Sequence, residues 1–185
     1  MRREIGKAIF DLQKGAKLSM PLSRPMPSVA AGVEELRIKD RSGAYRVFYF
    51  IKMETAILIF PAFQKKTATT PSQEIKLALA RLKGDAMKKV KPVVARNAKE
   101  LAKALGLTPA DAVDFEIRSA LNDKIVEVVN ERGLTHAQVA KLAHTSRTRV
   151  TAILNRNTHD ISADLMLRVL GSLGVQAKLQ FTKAA

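Results

Sequence analysis

Two rhythms divide this chain. Between Val33 and Lys52 apolar and polar residues change places at every second position; beyond Asn97 apolar residues return every third or fourth. The first rhythm belongs to strands and the second to helices. In "VEELRIKD", Leu36 and Ile38 face one way and Glu35, Arg37 and Lys39 the other. "RSG" is turn chemistry, and "AYRVFYFIK" supplies the returning strand of a hairpin. With a turn of even length, Leu36, Ile38, Tyr45, Val47, Tyr49 and Ile51 share one face. Arg37, Lys39, Arg46, Phe48, Phe50 and Lys52 share the other. The first face is core. The second interleaves cations with aromatic rings, a pattern suited to phosphates and bases, or else an ordinary face whose Phe48 and Phe50 lie under a helix.

The flanking segments read as follows. "REIGKAIFDLQKG" spaces Ile5, Ile9 and Leu12 for a helix that Gly15 can end. "AKLSMPLSRPMPSVAAG" holds three prolines and is a loop, with at most a short helix. "AILIFPAF" does not alternate, so it is expected as a strand buried on both faces, with an edge or a bulge at Pro61. "TPSQEIKLALARLK" is a helix in which Thr70 or Ser72 caps, Pro71 opens, and Ile75, Leu79 and Leu82 form the stripe.

The second half is helical almost throughout. "NAKELAKALGL" turns Leu101 and Leu105 inward and stops at Gly106. "TPADAVDFEIRSALNDKIVEVVNERG" is expected as two helices, capped by Thr108, opened by Pro109 and ended by Gly133. In "LTHAQVAKLAHTSRTRVTAILN", Thr135 caps a short helix and Ser146 a second, across the break "AHTS". Ala140, Val150 and Ile153 have helix-turn-helix spacing, small where the helices cross and apolar where they pack. Arg147, Thr148, Arg149, Thr151, Ala152 and Asn155 then point outward, and they are residue types that read a DNA groove. "VQAKLQF" alternates like a short strand able to pair across a dimer or with the first-half sheet.

Charge sharpens this picture. The formal net charge is +15 and the pI about 10.3, a balance that favours polyanion partners, nucleic acid foremost. Without cysteine there is no disulfide or thiolate, and three scattered histidines make no metal site. No apolar run approaches the ~20 residues of a membrane span and no signal-peptide core follows the first residues, so a cytoplasmic protein is expected. The lysine-rich "GDAMKKVKPVVARN", bracketed by Gly84 and Pro92, reads as a linker. The expected division is 1–86, linker 87–96, and 97–185. The expected fold class is α+β, an antiparallel sheet with helices followed by an all-α domain.

Over roughly residues 1–85 the chain resembles the phage-derived HigB branch of the RelE-like toxins. The resemblance lies in "ELR", "YRV" and "FQKKTATTPSQEI", in that order. It implies a small α+β protein that cuts mRNA, usually on the ribosome, by attack of a ribose 2′-hydroxyl on the adjacent phosphate. No cofactor is implied. Arg37 and Arg46 would hold phosphate oxygens, with Lys65 and Lys66 close by, one of them moving a proton. The pattern departs in two places: relatives carry an extra strand before "REIG" and often His where Pro61 stands.

From about Asn97 to Phe181 the chain is similar to HigA-type antitoxins of the Cro/XRE repressor superfamily. "LTHAQVAKLAHTSRTRVTAIL" carries the motif and "DISADLMLRVLGSLGVQAKLQF" the typical tail. This implies a homodimer on a palindromic operator. Arg147, Thr148, Arg149 and Thr151 would approach base edges or phosphates, flanked by Ser146 and Asn155. Thr135 and Gln138 would hold backbone phosphate. His136 stands where Gln is usual. His144 stands where Gly is usual, and His tolerates the left-handed conformation better than most residues. Together the resemblances imply a toxin fused to its antitoxin, the second half repressing transcription from an operator and neutralising the first. The alternative they leave is an active, ribosome-associated endoribonuclease regulated by its own helical domain.

Overall fold

The computed structural model describes residues 1–52, 56–66, 69–83 and 93–178. The chain runs α1 (Arg2–Gln13), β1 (Ser23–Pro25), β2 (Val33–Asp40), β3 (Gly43–Lys52), β4 (Ala56–Ile59), β5 (Phe63–Gln64), α2 (Ser72–Leu82), α3 (Ala98–Ala104), α4 (Pro109–Glu131), α5 (His136–Leu142), α6 (Arg147–Leu154) and α7 (Ala163–Ser172). This is the α+β order expected: an antiparallel sheet with helices, then helices alone. No helix among the described residues is long and apolar enough to cross a membrane. Most of the expected linker and the end of "VQAKLQF" lie outside the described residues. Val175 to Lys178 form no strand.

The hairpin has the predicted parity. Leu36 pairs with Val47, Arg37 with Arg46 and Ile38 with Tyr45 across an antiparallel ladder. Leu36, Ile38, Val47 and Tyr49 close one core with Ile5, Ile9 and Leu12 of α1. Ile51, at the strand's end, is 48 % exposed despite its parity. The opposite face is covered too. Phe48 packs with Met26, Val29, Phe60 and Ala78, and with half-buried Ile75 and Leu82 of α2. Of the two readings that the sequence left for this face, the helix-covered one applies to Phe48.

Pro61 marks a bulge. Ile59 of β4 pairs with Tyr49 and Phe63 of β5 with Arg46, which leaves one more residue on the edge than on β3 between the pairs. The slip moves Phe63 to the face of Phe48, whose ring it meets at 5.3 Å between centroids. The expectation of a strand buried on both faces fails, because β4 is an edge strand with Ile57 to Ile59 only half-buried. A second correction concerns the proline-rich loop. Ser23 to Pro25 add a strand to β2, with Pro25 at an edge where its missing N–H costs no ladder bond. A third concerns the start of α2. Pro71 occupies the capping position, no side chain caps it, and the Thr70 hydroxyl turns instead to Glu35.

The two expected helices between Thr108 and Gly133 are one, α4, of 23 residues. Its middle looked like a break because Arg118, Ser119 and Asn122 are polar. All three are buried. Arg118 donates to the carbonyls of Thr158 and Ile161, and Asn122 to that of Ile153. One end of α4 places Ala112 and Phe115 in the sheet's core with Ala98, Leu101 and Ala102 of α3. The other end places Leu121, Ile125, Val128 and Val129 in a second core with α5, α6 and α7. The first core therefore contains residues from both halves of the chain. Gly6 allows this closeness: a Cβ there would sit 3.0 Å from both Leu105 and Phe115. That approach offsets the roughly 1 kcal/mol that glycine costs inside a helix.

Candidate nucleic-acid interface

The helix-turn-helix is built by capping and by a small apolar seam. Thr135 and Gln138 form a reciprocal box at the start of α5, the Thr135 Oγ1 accepting from the Gln138 N–H and Gln138 Oε1 accepting from the Thr135 N–H. Ser146 Oγ accepts the Arg149 N–H at the start of α6. Val139, Ala140, Val150 and Ile153 are buried between the helices. The turn passes through His144 at φ 47°, the left-handed conformation usually left to glycine. His136 and Thr151 face each other with Nδ1 and Oγ1 2.9 Å apart, a link between α5 and α6 that sequence reading did not foresee. It leaves Thr151 half-buried, whereas Ser146, Arg147, Thr148, Arg149 and Asn155 are exposed. Two guanidinium groups thus flank the positive end of the α6 dipole, a combination that attracts phosphate.

The second candidate lies on the sheet. Arg37 and Arg46 are direct cross-strand partners, which brings their Cα atoms to roughly 5 Å. The Lys65 N–H donates to the Ala44 carbonyl at 2.7 Å, so Lys65 joins the same end of β3; Lys66, one residue on, is exposed outside the strand. Residues missed in the sequence complete the cluster. Glu35 is fully buried and takes Arg24 Nε at 2.7 Å, Arg46 Nε at 3.7 Å and the Thr70 hydroxyl at 3.2 Å. Its sequence signal was its place two residues before Arg37, on the same face. Arg46 is 7 % exposed. Burial pushes its guanidinium below the usual value, with Glu35 opposing that shift. Its Nη1 donates to its neighbour's backbone, the Tyr45 carbonyl, at 2.8 Å. Arg37 is half-buried and reaches Met20 Sδ at 3.2 Å. Arg24 and Arg46 therefore share one carboxylate, and Arg37 stands beside Arg46 on the adjacent strand.

Behind α6 lies the junction of the two halves. Asp11 of α1 accepts the Thr158 hydroxyl at 2.9 Å, Lys7 Nζ donates to the His159 carbonyl at 2.5 Å, and the Lys17 N–H donates to the Asn155 carbonyl at 3.3 Å. Burial pushes the Asp11 carboxyl up to about 6 from 3.8, against the opposing pull of Thr158, Arg118 and Lys7. Because the folded value lies above the unfolded one, Asp11 contributes most stability while protonated, below about pH 4. That contribution is lost as pH rises through about 6. The difference corresponds to roughly 3 kcal/mol. Asp11→Asn should remove this slope, so the stability difference between wild type and variant should change between about pH 4 and pH 7.5. Urea midpoints at both ends measure it, and a constant difference would rule out the buried ionisation.

Residues 1–83 match the phage-derived Gp49-like protein family, and residues 104–181 match a helix-turn-helix domain. No curated protein and no solved structure matches the chain.

Proposed function

We propose that this toxin–antitoxin fusion, a Gp49-like domain of the RelE/HigB toxin kind joined to a helix-turn-helix domain, works as a DNA-binding autorepressor whose toxin-like half is silent in the intact chain. The carrying observation is the exposed start of α6, where Arg147, Thr148 and Arg149 stand on a helix end locked by the Ser146 cap. A homodimer would place two such helices in successive major grooves of a two-fold operator. Arg46, buried against Glu35 instead of open to a substrate phosphate, supports the reading that the toxin-like half is silent. Among the described residues the C-terminal half packs on the other face of the sheet, so the proposed neutralisation acts through the shared core and not by plugging the arginine cluster.

The test is binding of the full chain to duplex DNA from upstream of its own reading frame. Groove contacts are worth about 1–3 kcal/mol each. Arg147→Ala with Arg149→Ala should therefore weaken specific binding by roughly 30-fold or more. Unchanged affinity in the double variant would overturn the assignment. The second reading, an active endoribonuclease, is favoured by one observation: Arg24 and Arg46 on the single carboxylate of Glu35, with Arg37 beside Arg46, leave net positive charge where a phosphodiester could lie. Cleavage of mRNA by the full chain in a purified translation system, abolished by Arg37→Ala, would establish it over the first.

A further inference from the structure

We infer that the toxin-like half supplies part of the DNA surface itself: Lys17, assisted by Lys14, holds a backbone phosphate at the C-terminal end of α6. The inference rests on the DNA-binding reading above and extends it to residues outside the helix-turn-helix domain.

The placement is direct. Asn155 is the C-terminal cap of α6, and its carbonyl receives the Lys17 N–H. No other element separates the two residues. Lys17 is held on a fixed backbone. Ala16 before it is buried, with its N–H on the Asp11 carbonyl at 2.9 Å, and Leu18 after it packs against the shared core. Gly15, at φ 85°, makes the turn that delivers this stretch from α1. The side chains of Lys14 and Lys17 are exposed, and neither forms an ion pair among the described residues. Lys14 Nζ stands 5.6 Å from the centre of the Phe10 ring, on the side of α1 that meets α4. Of the acids nearby, Asp123 is paired with Arg156 and Asp11 is buried on the Thr158 hydroxyl, so neither reaches the exposed lysines, while Asp160 stands in the following loop.

Scale supports the assignment. α6 has eight residues, about 12 Å of helix, and the major groove is about 12 Å wide. With Arg147 and Arg149 entering the groove, Asn155 lies about one groove width away, at the end that in a homeodomain's recognition helix meets the phosphate backbone. A lysine hydrogen-bonded through its backbone to Asn155 is then beside that backbone.

The experiment is a salt titration of full-chain binding to the upstream duplex and to an unrelated duplex. Each phosphate contact contributes about 0.9 to the slope of log K against log salt. Lys14→Gln with Lys17→Gln should flatten the slope by about 1–2 and weaken both duplexes several-fold, leaving their ratio unchanged. Lys17→Arg should keep the slope, which separates lost charge from lost fold. A chain that prefers its upstream DNA yet keeps its slope in the double Gln variant overturns the lysine assignment alone. A wild-type chain without sequence preference whose slope falls in the double variant overturns the operator reading and leaves the phosphate contact standing.

Discussion

Glu35→Ala should destabilise the folded chain by about 3–5 kcal/mol, a large part of the ~5–15 kcal/mol typical of a domain. The carboxylate is the shared acceptor for Arg24, Arg46 and Thr70, and it is fully buried. Its removal leaves Arg46, which is 7 % exposed, as a charge without its partner and beside Arg37 on the adjacent strand. The cost comes from that stranded charge more than from the lost attraction, because two ions taken from water repay little more than their desolvation. The sharper measurement is therefore a double-mutant cycle. Glu35→Leu combined with Arg46→Met should lose much less stability in urea than the two single changes added together. If the losses simply add, Glu35 and Arg46 are not coupled and the account of the cluster is wrong.

A comparable loss, about 3–5 kcal/mol, is expected for Phe115→Ala. Phe115 is almost fully buried, stacks on Phe10 with centroids 5.9 Å apart, and lies against the gap left by Gly6. The cavity would open between α1 and α4, where the two halves share one core. The variant thus tests cooperativity as well as packing. In the wild type, probes in the sheet and in the helical half should unfold together; in Phe115→Ala their transitions should separate, since the second core, from Leu121 to Leu173, does not contain this residue. Coincident transitions in the variant would show that the halves are held by the polar contacts of Asp11, Lys7 and Lys17 instead.

The hairpin, its faces, the Pro61 bulge and the helix-turn-helix were legible because each rests on local rules: alternation, turn length, proline's missing donor, and capping at Thr135 and Ser146. His144 was legible as a left-handed turn residue for the same reason. What escaped depends on distant partners. β1 hid among prolines because only pairing with β2 makes it a strand. α4 read as two helices because Arg118 and Asn122 are polar, and the carbonyls they bury against lie 31 to 43 residues away. Glu35 read only as a member of the face opposite Leu36 and Ile38, because alternation assigns a face but not what covers it. Thr70 read as a cap because its partner, Glu35, lies across the sheet's second core.

The single helix from Pro109 to Glu131 also sets an order of events at birth. Phe10 leaves the ribosome about a hundred residues ahead of Phe115, its stacking partner. At roughly 5–20 residues per second, that gap lasts about 5–20 s. In its second half, once Gln64 has emerged, the sheet's strands exist but the α3–α4 side of their core is uncovered. Each nascent chain therefore passes through an interval in which its Gp49-like half is made and the shared core is not yet closed. Codon pace across residues 84–115 becomes a physical variable of this protein, set in time as its contacts are set in space.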